Sequence, residues 1–122
     1  MSGRTLRDVR DSFGHAIDGI GHLVRTQRSF RIHVAAAMAV LVAAAVLQFD
    51  PGEWALLVLT ITLVLTLEGV NTGIEIAVTL ASPERRPEAK AAKDVAAGMV
   101  LLGAIAAAIV GVLLFGPHLL PK

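Results

Sequence analysis

The chain divides into four blocks by the pattern of its apolar and polar positions. Over 6–27, Leu6, Val9, Phe13, Ile17, Ile20 and Val24 recur every three or four residues, the stripe of a single helix face. Asp8, Asp11, His15, Asp18, His22 and Arg25 fill the other faces, so an amphipathic helix is expected there. Such a helix packs on its neighbours or lies in a membrane interface. The adjacent apolar runs favour the interface. Beyond it the periodicity gives way to near-continuous apolar sequence over 32–49, 54–70 and 95–115. A hydrocarbon core of about 30 Å takes roughly 20 helical residues to cross, and lipid leaves no partner for an unpaired backbone group. Three transmembrane helices are therefore predicted, over 32–49, 54–82 and 88–116, the second running on past the bilayer. Asp50-Pro51-Gly52 marks the turn between the first two, and Ser82-Pro83 with Pro87 the loop between the last two.

Composition strengthens this pattern. Of 122 residues, 55% are hydrophobic and 17% charged, whereas soluble domains average about 25% charged. A chain this short has a high surface-to-volume ratio and lacks the polar surface for a soluble monomer. The expected class is an all-α integral membrane protein, one domain over 1–122. A net charge of +1 gives no reason to expect nucleic acid, and the absence of cysteine excludes disulfides and thiol chemistry. Ten of the eleven Lys and Arg fall in the N-terminal segment or the 84–94 loop. Three spans put both on one side, and the positive-inside rule makes that side the cytoplasm, across the cell membrane from the Asp50–Glu53 turn. Trp54 sits where an interfacial aromatic anchors a helix.

The second span is more than an anchor. In Leu67-Glu68-Gly69-Val70-Asn71-Thr72-Gly73-Ile74-Glu75, Asn71 falls about 60° from Glu68 around the helix and Glu75 about 20°. Thr79 and Ser82 continue the same polar stripe. A carboxylate at the bilayer centre costs on the order of 2.5–3.5 kcal/mol, so Glu68 belongs near the membrane boundary. Two acids on one face suit either magnesium, which takes oxygen ligands, or proton transfer by a glutamate whose pKa an apolar setting raises. A structural glutamate bonded to a neighbouring helix accounts for Glu68 alone, not for the stripe. Lys93 and Asp94 stand at the entrance of the third span, and antiparallel packing brings them toward the level of Glu68 to Glu75. A lysine beside two acids at a membrane surface suits a phosphate-bearing ligand. A snorkelling lysine and a helix-end aspartate are the plainer reading. Gly103, Ala107 and Gly111 form a small-xxx-small ridge for close helix approach. His33 and His118 read as isolated interfacial residues. No Walker loop, dinucleotide fingerprint or nucleophile elbow is present.

Glu68-Gly-Val-Asn-Thr-Gly-Ile-Glu75, Ser82-Pro-Glu84 and Ala92-Lys-Asp-Val-Ala-Ala-Gly98 together resemble the prokaryotic diacylglycerol kinase family. So do Ser12-Phe13, Gly19-Ile20 and Phe30-Arg31-Ile32-His33, and the likeness covers about residues 10 to 116. The Ser-Pro-Glu loop and Lys-Asp-Val-Ala-Ala-Gly are closer to the undecaprenol kinase branch. The resemblance implies a homotrimer, each protomer having a surface helix and three transmembrane helices, that moves the γ-phosphate of Mg-ATP to a membrane lipid alcohol. By position, Glu68 matches the family's general base and Glu75 a magnesium ligand. Lys93 and Asp94 match nucleotide-phosphate contacts, and Glu84, Arg85 and Arg86 the nucleotide loop. His15 is placed with the nucleotide contacts and Asn71 as the supporting amide between the acids. Two positions depart from the pattern. Gln27 stands where most members carry a second magnesium-binding glutamate, so Asp18 could help there, and Thr79 stands where many have aspartate. The preferred acceptor is undecaprenol, then diacylglycerol. The competing class is a small transporter or channel using Glu68 for ion or proton coupling. A lipid phosphatase is weaker, because its phosphate-facing Arg/His constellation is missing.

Overall fold

The computed structural model describes residues 2–121, which form four helices joined by short connections: α1 (Ser2–Thr26), α2 (Arg28–Val46), α3 (Pro51–Ala81) and α4 (Pro87–Leu119). All four expected helices are present, each with different ends. α1 starts four residues before the apolar stripe, and α2 begins at Arg28 rather than 32, because only Gln27 leaves helical geometry (φ −110°, ψ 106°). Helical hydrogen bonding continues on both sides of it, from Gln27 N–H to Leu23 C=O and from Arg31 N–H to Gln27 C=O. The Arg31 guanidinium donates to the carbonyls of Val24 at 2.8 Å and Arg25 at 3.1 Å, supplying donors that the end of α1 lacks.

α2 stops at Val46, short of the apolar run that reaches 49. Gln48 takes a left-handed φ of 58°, and Phe49 N–H bonds Ala44 C=O at 3.1 Å while Gln48 N–H bonds Ala45 C=O at 3.2 Å. This is a Schellman ending with an apolar residue after the left-handed position, and Phe49 goes into the core. Asp50 then opens α3 with a reciprocal capping box: its carboxylate accepts from Glu53 N–H at 2.8 Å, and Glu53 accepts from Asp50 N–H at 3.1 Å. Pro51 occupies the first turn, where its missing N–H costs nothing.

The buried cluster of Ala44, Phe49, Leu57 and Leu114 lies at this end, where α2, α3 and α4 meet. Phe49 stacks on His118 with ring centroids 4.8 Å apart, and His118 Nε2 lies 2.7 Å from Glu53 Oε2. His118 is thus not isolated: it ties the last turn of α4 to the first turn of α3. Midway along, a Cβ on Gly103 would lie 2.4 Å from Leu67 Cδ1, so the close approach expected of the small-residue ridge occurs there. It does not extend along the ridge. Ala107 and Gly111 line a cavity instead, and nothing lies within 4 Å of a Cβ on Gly111.

α2, α3 and α4 are each long and apolar enough to cross a membrane. Leu101, Leu102, Ile105, Ile109, Val112 and Leu113 of α4 are all exposed in the single chain. Helices apolar on every face need lipid or a partner around them, and this chain is a membrane protein. At 1.5 Å per residue α3 is about 46 Å long and α4 about 50 Å, both well beyond a 30 Å core.

Candidate functional site

Glu68 lies seventeen residues into α3, roughly 25 Å from its start at Pro51 and so just inside a 30 Å core. It is 9% exposed. The first turns of α2 cover it: Ser29 Oγ donates to both carboxylate oxygens at 3.3 Å, and His33 Nε2 lies 3.1 Å from Oε1. Hydrogen-bonded partners are what an acid at this depth requires. Thr72 Oγ1 bonds the Glu68 carbonyl at 3.1 Å, one turn along. Sequence reasoning missed Ser29 and misjudged His33, which is paired rather than isolated. The available signal was helical spacing: Ser29 and His33 are four apart, on one face of α2.

The polar stripe does not act as one surface. α2 begins at Arg28 and has nothing to lay over α3 beyond the level of Glu68, so Glu75 is exposed and makes no ion pair among the described residues. α1 approaches a different face, Leu23 lying against Gly69, where a Cβ would meet its Cδ1 at 3.2 Å. Between the acids, the Oδ1 of Asn71 is buried without a hydrogen-bond partner. Such an atom needs a donor or a positive charge.

Thr79 and Ser82, further down the stripe, border a separate open cleft of about 650 Å³ with the 82–87 loop and the start of α4. Glu84, Arg85, Arg86, Lys93 and Asp94 line it together, so the residues expected to contact phosphates do converge. Arg86 lies 3.6 Å from Glu84 at the surface. Asp94 is paired with Lys90 at 2.5 Å, a lysine the motif reading had not selected, while Lys93 makes no ion pair among the described residues. His15 is exposed on α1 and does not line the cleft. Gln27 sits at the α1–α2 break, its amide donating to Thr26 Oγ1 at 3.4 Å.

The contacts of Leu67 with Gly103 and of Glu53 with His118 fix the antiparallel register of α3 and α4. At that register Lys93 and Asp94 lie level with Glu75 and about 13 Å along the axis from Glu68. The two thus reach the level of the second acid but not of the first, and Glu75 does not line their cleft.

Among the described residues no three His, Asp or Glu side chains gather to hold a metal. Magnesium is nonetheless commonly held by one or two carboxylates with phosphate and water oxygens completing its shell. An exposed, unpaired Glu75 and an unpartnered Asn71 amide oxygen one turn away suit an ion of that kind, carried in with phosphates.

On the bilayer side of His33 an apolar cavity of about 230 Å³ runs between α2, α3 and α4 as far as Phe115. Leu57, Ile61 and Val64 line it on the α3 face that continues into Glu68.

Residues 14–115 match the sequence profile of the family described as prokaryotic diacylglycerol kinase. The chain is 44% identical over 108 residues to the undecaprenol kinase of Bacillus subtilis (strain 168), covering 88% of each chain. It is 47% identical over 110 residues to a diacylglycerol kinase of Synechocystis sp., covering 89% of this chain and 63% of the relative. A diacylglycerol kinase of Helicobacter pylori (strain J99) is 38% identical over 88 residues, 72% of this chain and 69% of that one.

Proposed function

The chain belongs to the prokaryotic diacylglycerol kinase family and is a lipid kinase, and on that premise we propose that it moves the γ-phosphate of Mg-ATP to a membrane lipid alcohol, undecaprenol in preference to diacylglycerol. The observation that carries this reading is the buried Glu68 carboxylate at the membrane boundary, held by Ser29 and His33 beside an apolar cavity. An acceptor with its chain in the bilayer brings its hydroxyl to that depth. Glu68 takes the hydroxyl proton as the oxygen attacks phosphorus, which is the part a positioned base plays in phosphoryl transfer. Lys93, Asp94, Glu84, Arg85 and Arg86 bind the nucleotide in the cleft they line, Lys93 and the arginines screening its phosphates. Glu75 and Gln27 would hold magnesium, with Asn71 in support. The ion, when bound, neutralises charge building up on the transferred group.

α1 lies in the membrane interface, its exposed Leu6, Phe13 and Ile17 in lipid. The N-terminus and the 82–87 loop face the cytoplasm, as their basic residues favour, and the single domain assembles as a homotrimer. A carboxylate coupling ions in a transporter would not need the phosphate-suited cleft, and the family assignment sets that alternative aside.

The test is a side-by-side assay in mixed micelles with γ-labelled ATP. Labelled undecaprenol is expected to outrun labelled diacylglycerol. Preference for diacylglycerol overturns the acceptor assignment, and no label in either overturns the ATP-to-lipid reaction.

A further inference from the structure

We propose that His33, with Ser29, is a positioning residue that pins one oxygen of Glu68 and leaves the other as the proton acceptor. The inference rests on Glu68 being the base. Its own ground is the asymmetry of the contacts. Ser29 Oγ is equidistant, at 3.3 Å, from both carboxylate oxygens, and so orients the group without choosing between them. The imidazole adds a second contact on one side, His33 Nε2 lying 3.1 Å from Oε1. An oxygen already held against the imidazole is the less open of the two to an incoming hydroxyl. Oε2 is left with the shared hydroxyl only.

In the reaction the acceptor hydroxyl gives its proton to Glu68 Oε2, and its oxygen bonds the γ-phosphorus. The bond from that phosphorus to the bridging oxygen breaks, and ADP leaves with the electron pair. Glu68 then returns its proton to water. His33 touches neither substrate.

The surroundings leave His33 this single task. From α3 the charged group facing it is Glu68. α4 carries no Asp, Glu, Lys or Arg between Asp94 and Lys122. Arg31 of its own helix is turned onto the end of α1, and Arg25 of α1 folds back over Gly21. A side chain at the mouth of an apolar cavity otherwise needs no imidazole. His33 is also only partly buried, its side chain 34% exposed, so packing alone does not require it.

The experiment compares the Glu68→Gln, His33→Ala and His33→Gln variants for kcat, ATP KM, and thermal unfolding in detergent. His33→Ala is expected to lower kcat about tenfold or more, since small misplacements of a reacting group are costly, and to leave ATP KM unchanged. In His33→Gln the amide can take the place of the imidazole against Glu68, and most of the lost kcat should be restored. A His33→Ala enzyme with unchanged kcat overturns the proposal, as does a loss confined to ATP KM. So does a stable His33→Gln enzyme no better than His33→Ala. If Glu68→Gln keeps turnover, the base assignment itself fails. If only Glu68→Gln is inactive and the His33 variants are normal, the base stands and the positioning role falls.

Discussion

Glu68 shows how a single residue can be marked by its depth. A carboxylate roughly 25 Å into a membrane helix is tolerated because two α2 side chains meet it, and its 9% exposure keeps it from bulk water. Glu68→Gln keeps the shape and can still hydrogen-bond Ser29, but cannot take a proton. Turnover should fall by at least about a hundredfold, the scale of a lost general base, while ATP titrates as in the parent. Near-normal turnover would remove Glu68 from the chemistry. Gln27 is the complementary case, an amide oxygen where a carboxylate is expected from the resemblance. Gln27→Glu adds a charge, so half-maximal activity should come at lower magnesium. An unchanged magnesium titration would put residue 27 outside the ion's shell. Ser29 and His33 were the residues that sequence reasoning passed over, because their significance depends on what α3 places opposite them.

At the scale of elements, helix ends and crossings do the positioning. Asp50, Pro51 and Glu53 start α3 through local capping, and Glu53 also meets His118, so one turn fixes both the start of α3 and the end of α4. That register sets how far each motif residue lies from the others. Gly103 is where it is most exposed to mutation, since a Cβ would sit 2.4 Å from Leu67 Cδ1. The Leu67 side chain can swing partly aside, so Gly103→Ala should cost about 1–3 kcal/mol, and Gly103→Val more. Gly111, with open space at its Cβ, should tolerate Gly111→Ala with little change. Thermal unfolding of the two alanine variants in one detergent checks the contrast, and equal effects would mean the helices do not cross closely at Gly103. The existence of these helices was legible from apolar run lengths, since membrane thickness dictates them. Their ends were less so: the Schellman ending at Gln48 and the single extended residue at Gln27 are set by backbone geometry that hydropathy does not encode.

The whole molecule leaves most of its long helices' apolar side chains uncovered, and the residues of its candidate site lie in two places. The axial gap of about 13 Å between Glu68 and Lys93 is too great for one γ-phosphate to touch both within a chain. A neighbouring protomer would close it by laying its cleft against this chain's Glu68. Mixing inactive Glu68→Gln and Lys93→Ala protomers and reassembling them should then restore measurable kinase activity. No recovery in mixed oligomers would place each site within one protomer.

What the sequence alone determined is whatever depends on composition and spacing. Apolar length required membrane helices, the basic residues marked one side, and the Glu68 to Glu75 and Lys93–Asp94 motifs carried the family. These hold before any two helices meet. The tertiary structure decided which motif residues share a surface. The stripe read as continuous was divided because α2 begins at the level of Glu68 and so covers it without reaching Glu75. Two histidines read as solitary were each joined to a glutamate, and part of a ridge read as an interface became the wall of a cavity. Contacts between helices depend on where each helix ends and which way it crosses, and neither is written in the periodicity of a single strand of sequence.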